Sequence, residues 1–202
     1  MVKADLSKLS ICLLALILFI SIPAAGLITA EDHDLPNYSN SDYTTHQPIK
    51  IDNNTDLTTT AKEEGWRGEG TEQDPYIIDN YSIDGEEKGY CIQITDTNKH
   101  FIIKNCFLYN ATYREYNDPN EDTALELNNV KNGEISNCTF LNNEYTIKME
   151  ETSCDFIDND IVNSGHAFRI VNSDSNNFID NRISDCHYSI NLMNSDSSKF
   201  VN

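Results

Sequence analysis

A right-handed parallel β-helix with coils of about 22 residues, closed at its N-terminal end by a short helix, is the all-β architecture this sequence predicts. Three observations carry it. The phrase NSDSNNFIDN at 172–181 returns as NSDSSKFVN at 194–202, 22 residues later. Apolar residues keep that interval: Ile103, Ile135, Ile157, Ile179 and Val201 are separated by 32, 22, 22 and 22. And 25 of the 202 residues are Asn, a residue that accepts tight turns and stacks its amide on an identical neighbour.

The elements follow in order. Lys3 and Lys8 precede the apolar run 11–22, which Pro23 breaks before Ala24-Ala25-Gly26. That layout predicts a secretory signal peptide over 1–26, and hence a secreted or cell-surface protein whose membrane contact is limited to the signal or an uncleaved anchor. Residues 27–46 are polar and patternless, the composition of a disordered spacer. The folded domain is expected over 47–202. Ile49 and Ile51 alternate as in a short strand, and 56–64 reads as a short helix capped by Thr55 or Asp56 and stopped by Gly65. From Gly68 the chain alternates turns and strands.

About five coils then repeat. Asn105, Asn137, Asn159 and Asn181 stand two residues after the first four apolar ladder positions, forming the expected amide ladder beside Ile103, Ile135, Ile157, Ile179 and Val201. A second apolar track runs through Ile92/Ile94, Leu125/Leu127, Ile147/Met149, Phe168/Ile170 and Ile190/Leu192, alternating as half-buried strands do. Leucine-rich repeats share the period, but the LxxLxL signature is absent. The one long interval holds an insertion over about 111–122. Insertions in a solenoid bulge from a corner and often build the binding face. The period calls for another ladder Asn just past Asn202, so the sequence reads as C-terminally truncated, its open last coil covered by further coils or another protein.

Charge narrows the function classes. The formal net charge is −19, with 14 Lys and Arg against 33 Asp and Glu, which excludes a nucleic-acid partner because phosphates could not be neutralised. Past the signal the chain keeps five cysteines, Cys91, Cys106, Cys138, Cys154 and Cys186, an odd number that argues against a full disulfide framework. Cys106 and Cys138 share a ladder position, as small residues filling a turn or as a disulfide. Five N-x-S/T sequons stand at Asn37, Asn53, Asn80, Asn110 and Asn137.

GEGTEQDPYIIDNYSIDG, preceded by PIKIDNNTDL and followed by NCFLYN, NCTFLNN, FIDNDIVNSG and FIDNRISDC, resembles the exported right-handed β-helix proteins abundant in archaea. These belong to the broad pectin-lyase-like set, which includes NosD-type periplasmic proteins and the carbohydrate-binding and sugar-hydrolase β-helix repeats. The resemblance covers about 47–202 and implies that the short helix covers the first coil. For function it implies only a menu: lyases, hydrolases, epimerases, adhesins and modules without known activity.

Candidate chemistry follows from that menu. The polygalacturonase-like branch uses carboxylates on neighbouring coils with a nearby His and a basic residue, which points to Asp158, Asp160, Asp180, His166 and Arg169. Against it, the branch's Asn-Thr-Asp motif occurs only at 54–56, before the coils, and its Asp-Asp pair is absent. Asp160 and Arg182, one coil apart, read equally well as an exposed ion pair. Asp158/Asp180 and Asp174/Asp196 are carboxylate pairs one coil apart, a pattern that would invite calcium as the one cofactor suggested. The NosD resemblance raises copper, with His166, Cys186 and His187 near one corner. The preferred ligand site is the insertion, where Tyr113, Arg114, Tyr116 and Asp118 could stack on sugar rings and bond their hydroxyls. The expectation is thus an exported module that binds a polysaccharide or surface glycan, or serves as an envelope scaffold, without catalysis. A polysaccharide lyase or glycoside hydrolase, and a NosD-like metal-handling protein, are the alternatives.

Overall fold

In a computed structural model of the chain, the described residues are 43–86, 88–112 and 122–202. They form six coils, each contributing one rung to each of three faces, here A, B and C. The first coil is β1 (Thr44–His46), β2 (Ile49–Ile51), helix α1 (Asn54–Glu63) and β3 (Tyr76–Asp79). The second is β4 (Tyr81–Asp84), β5 (Tyr90–Thr97) and β6 (Phe101–Lys104). The third is β7 (Phe107–Tyr109) and the long β8 (Thr123–Ser136), which turns the corner from face B to face C. The fourth is β9 (Thr139–Leu141), β10 (Tyr145–Glu150) and β11 (Ser153–Ile157). The fifth is β12 (Asp160–Val162), β13 (His166–Val171) and β14 (Asn177–Ile179). The sixth is β15 (Arg182–Ser184), β16 (Tyr188–Met193) and β17 (Lys199–Val201).

All strand pairs are parallel and run from one coil to the next: β1-β4-β7-β9-β12-β15 on A, β2-β5-β8-β10-β13-β16 on B, β3-β6-β8-β11-β14-β17 on C. This is the right-handed parallel β-helix, with one more coil than expected. The ordered structure also begins before residue 47, because Thr44, Thr45 and His46 pair with Tyr81, Ser82 and Ile83.

The interior is a set of stacked columns. The second apolar track holds as read: Ile92, Leu125, Ile147, Phe168 and Ile190 stand in register on face B, as do Ile94, Leu127, Met149, Ile170 and Leu192. On face C the column differs. Ile103 and Ile135 pair, but Ile135 then pairs with Phe156, followed by Phe178 and Phe200. Ile157, Ile179 and Val201 form a separate, outward column below Ser136. The cause is local. The corner between faces B and C is one residue shorter in the fourth coil: a second left-handed residue stands at Asn132, Ser175 and Ser197 in the coils around it, and none there. The displaced Asn ladder follows suit. Asn137 sits over Asp158 and Asp180, while Cys138 sits over Asn159 and Asn181.

Most corners are built on one rule. A residue at positive φ turns the chain: Asn80, Asn105, Asn137, Asp158 and Asp180 between C and A; Asn110, Asn142, Asn163 and Asp185 between A and B; Asp96, Asn129, Glu151, Asn172 and Asn194 between B and C. Asn and Asp dominate because their short polar side chains tolerate the left-handed region. In most rungs the next residue is small, points inward and serves the backbone of its neighbours. Asn159 Oδ1 accepts from Cys138 N at 3.0 Å, and its Nδ2 donates to the Ile135 carbonyl at 2.8 Å. Thr152 N donates to Ser173 Oγ, and Ser173 N to Ser195 Oγ, both at 3.1 Å. Gly133 is required for packing: a Cβ there would come within 2.7 Å of Phe101 Cζ and 2.9 Å of Cys154 Sγ.

Helix α1 starts two residues earlier than expected and is capped by Asn53, whose Oδ1 accepts from Thr55 N and Asp56 N at 2.9 and 3.0 Å. Gly65, at φ 69°, ends it. Leu57 and Ala61, one turn apart, bury into the core beside the first coils. Among the described residues no helix is long and apolar enough to cross a membrane.

Candidate functional site

The predicted catalytic residues do not converge. Asp158 and Asp180 are exposed turn residues between faces C and A. Asp160 opens β12 on face A, where Arg182 grips it through Nε at 3.0 Å and an Nη at 3.2 Å. His166 and Arg169 lie around the next corner, on β13 of face B. The predicted Asp160–Arg182 ion pair is therefore present, and no acid/base pair of carboxylates faces a common substrate position with the histidine.

The metal candidates are likewise dispersed. Asp174 and Asp196 are stacked at the B–C corner, away from Asp158 and Asp180, and Asp174 Oδ1 accepts from Asp196 N at 2.6 Å. Cys186 turns inward, its thiol donating toward the Ser184 carbonyl at 3.3 Å, whereas His166 packs on face B and His187 is exposed. Among the described residues no group of three or more His, Cys, Asp or Glu could hold a metal ion. Calcium and copper therefore find no assembled ligand set among these residues.

The five cysteines among the described residues are free. Cys106 and Cys138 do share a column, on adjacent rungs one strand spacing apart, about 4.8 Å, where their thiols interact with one another. A disulfide needs Cβ atoms about 3.5–4.5 Å apart. Each thiol instead points at a carbonyl of the preceding coil: Cys138 Sγ at Ile103 O, 3.6 Å, where Asn159 in the next coil uses an amide. Burial pushes the Cys91 and Cys138 thiols up, and that of Cys154 up to about 12.

The preferred ligand residues Tyr113, Arg114, Tyr116 and Asp118 lie outside the described residues. Their anchors do not. Thr112 lines a polar groove of about 250 Å³ at the A–B corner, with Asn142, Asn143, Glu144, Asp185 and His187. Asp122 is buried, and its carbonyl accepts from Tyr145 N at 3.1 Å, which ties the end of the insertion to the first column of face B.

Face B is where outward side chains gather. Its first column is Tyr90, Thr123, Tyr145, His166 and Tyr188. The rings of Tyr145, His166 and Tyr188 stack with centroids 4.5 and 4.6 Å apart and planes 9° and 16° from parallel. The ring faces cover one another, and His166 Nδ1 is buried in the stack without a hydrogen-bond partner among the described residues. The second column is Gln93, Glu126, Lys148, Arg169 and Asn191. Within it Gln93 Nε2 donates to Glu126 Oε2 at 2.8 Å, and Lys148 Nζ lies 3.7 Å from Glu126 Oε1. The result is one continuous polar row from Gln93 to Asn191, and beside it an aromatic row that is interrupted in the third coil, where Thr123 is buried. Gln93, Glu126, Tyr145, Lys148 and Tyr188 were not among the predicted site residues. For Gln93, Glu126 and Lys148 the signal was present: each stands between the two apolar residues of a pair, where alternation places it outward. For Tyr145 and Tyr188 it was not, because they share parity with Ile147 and Ile190 and alternation would have put them inside; the consecutive buried pair Thr146-Ile147 breaks the pattern.

The family model described as a right handed beta helix region matches residues 123–202, the stretch from β8 to the end of β17. No curated protein and no solved structure matches the chain.

Proposed function

We propose that this right-handed parallel β-helix is an exported polysaccharide-binding module, and that it holds an extended glycan along face B without cleaving it. The observation that supports this reading is the continuous polar row on that face. Its groups recur at the coil spacing of about 4.8 Å, close to the length of one sugar unit in an extended chain. Amides, a carboxylate, an ammonium and a guanidinium together supply the donors and acceptors that sugar hydroxyls require. The scattering of Asp158, Asp160, Asp180 and His166 over different faces and corners favours binding over hydrolysis. The β-helix scaffold itself is compatible with either.

The test is affinity electrophoresis of the purified chain in gels carrying neutral or acidic polysaccharides, with polymer length followed in parallel. Retardation is expected in at least one gel, with polymer length unchanged. Replacing Lys148 and Arg169 together by Ala should weaken that retardation about tenfold or more, the loss of one charge-assisted contact or better. Equal retardation of the double variant sinks face B as the site, and shortened polymer sinks the non-catalytic reading.

A further inference from the structure

Four of the five N-x-S/T sequons fall on described residues, and their surroundings separate them. Asn53 is occupied as the cap of α1, accepting from two backbone amides. Asn137 is inside the amide ladder, its Nδ2 donating to Asn105 Oδ1 at 2.7 Å. Asn110 accepts from Asn142 Nδ2 at 2.9 Å and is half-buried. Asn80 differs from all three. It is exposed, it stands at φ 65° on the outside of the corner between β3 and β4, and its side chain has no hydrogen-bond partner among the described residues. The ladder passes it by, because Asn105 Nδ2 donates to Asp79 Oδ1, at 2.9 Å, and not to Asn80. An attachment there would break no structural contact and would project from a corner into solvent.

We infer that Asn80 carries an N-linked glycan, attached during export. The donor is an oligosaccharide linked through a diphosphate to a lipid carrier. The amide Nδ2 of Asn80 forms a bond to the anomeric carbon, the bond from that carbon to the diphosphate oxygen breaks, and the nitrogen gives up one proton as the lipid diphosphate leaves. The amide keeps its carbonyl and one N–H. The fold also sets the order of events. A transferase must read the Ser82 hydroxyl as well as Asn80, and Ser82 is only 3% exposed, on a strand paired on both sides by β1 and β7. The transfer therefore precedes closure of the second coil.

The experiment is expression of the full chain in a yeast secretory pathway, followed by peptide mapping of the secreted protein after enzymatic deglycosylation in ¹⁸O-water. Conversion of Asn80 to ¹⁸O-labelled Asp is expected. Asn80→Asp should abolish that glycan and leave melting unchanged, since Asp occupies the same left-handed position at 158 and 180 in this column. Folded, unmodified chain should be inert to the purified transferase, while a peptide spanning 76–86 is modified. Secreted protein with Asn80 intact overturns the proposal. So does ready modification of the folded chain, which would show that closure of the coil does not set the order.

Discussion

Asn159 shows what a single side chain does in this molecule. Its amide bonds the backbone of the preceding coil at two points, accepting from Cys138 N and donating to Ile135 O, so a substitute needs both a donor and an acceptor. Asn159→Ala leaves two buried backbone groups unpaired and should cost about 1–3 kcal/mol for each, measured by denaturant unfolding. Cys138 meets half of that requirement one coil earlier, its thiol pointing at the Ile103 carbonyl, so thiols at 106 and 138 and amides at 159 and 181 occupy one column. The buried thiols also respond to pH. Burial raises the Cys154 pKa to about 12, so the unfolded chain ionises first as pH rises. The stability tied to that thiol is complete below about 8.5, the ordinary cysteine value, and is lost between there and about 12. A melting series across that range should fall, and less steeply for Cys154→Ala. At neutral pH a maleimide should label the partly exposed Cys186 long before Cys91, Cys138 or Cys154.

The strand is the scale at which the register correction can be tested. Phe156 is in the core, against Phe168 and Phe178 at ring distances of 5.6 and 5.2 Å, while Ile157 faces out. Phe156→Ala should cost about 3–5 kcal/mol, and Ile157→Ala well under half of that. A ladder through Ile157 predicts the reverse. The helix gives a smaller number: Asn53→Ala removes its cap and should cost about 1 kcal/mol, read as a lower melting temperature. Element-scale features were legible in the sequence where alternation was strong. The Ile147/Met149 and Phe168/Ile170 pairs needed only their alternation, although they stand 21 residues apart across the short corner. The face C column was misplaced because Ile135 and Ile157 are the same residue type 22 positions apart, while the fourth coil is one residue short. A sequence period counts residues and cannot see where a corner drops one.

The chain as a whole is acidic, and in the solenoid of its described residues that charge acts over all coils at once. With 33 acidic against 14 basic side chains, self-repulsion in the folded chain should be relieved by salt, so the melting temperature should rise from low to moderate ionic strength. At this scale the fold was legible almost entirely, because stacking like on like writes itself into the sequence as a repeat. The site was not. The predicted acids at 158, 160 and 180 and the histidine at 166 are close in the chain, yet the corner after β12 puts them on separate faces. The outward residues of face B looked ordinary in sequence because each acquires meaning only from the neighbours above and below it.

The shortened corner of the fourth coil has one more implication. A missing residue between Glu151 and Cys154 leaves β14 and β17 in step with β11, so the defect is erased within a single turn. Each corner thus works as a phase reset: length changes there are local events, invisible to the next rung. Evolution, or a protein engineer, can lengthen or trim this corner coil by coil and rebuild one edge of the prism without renumbering its core.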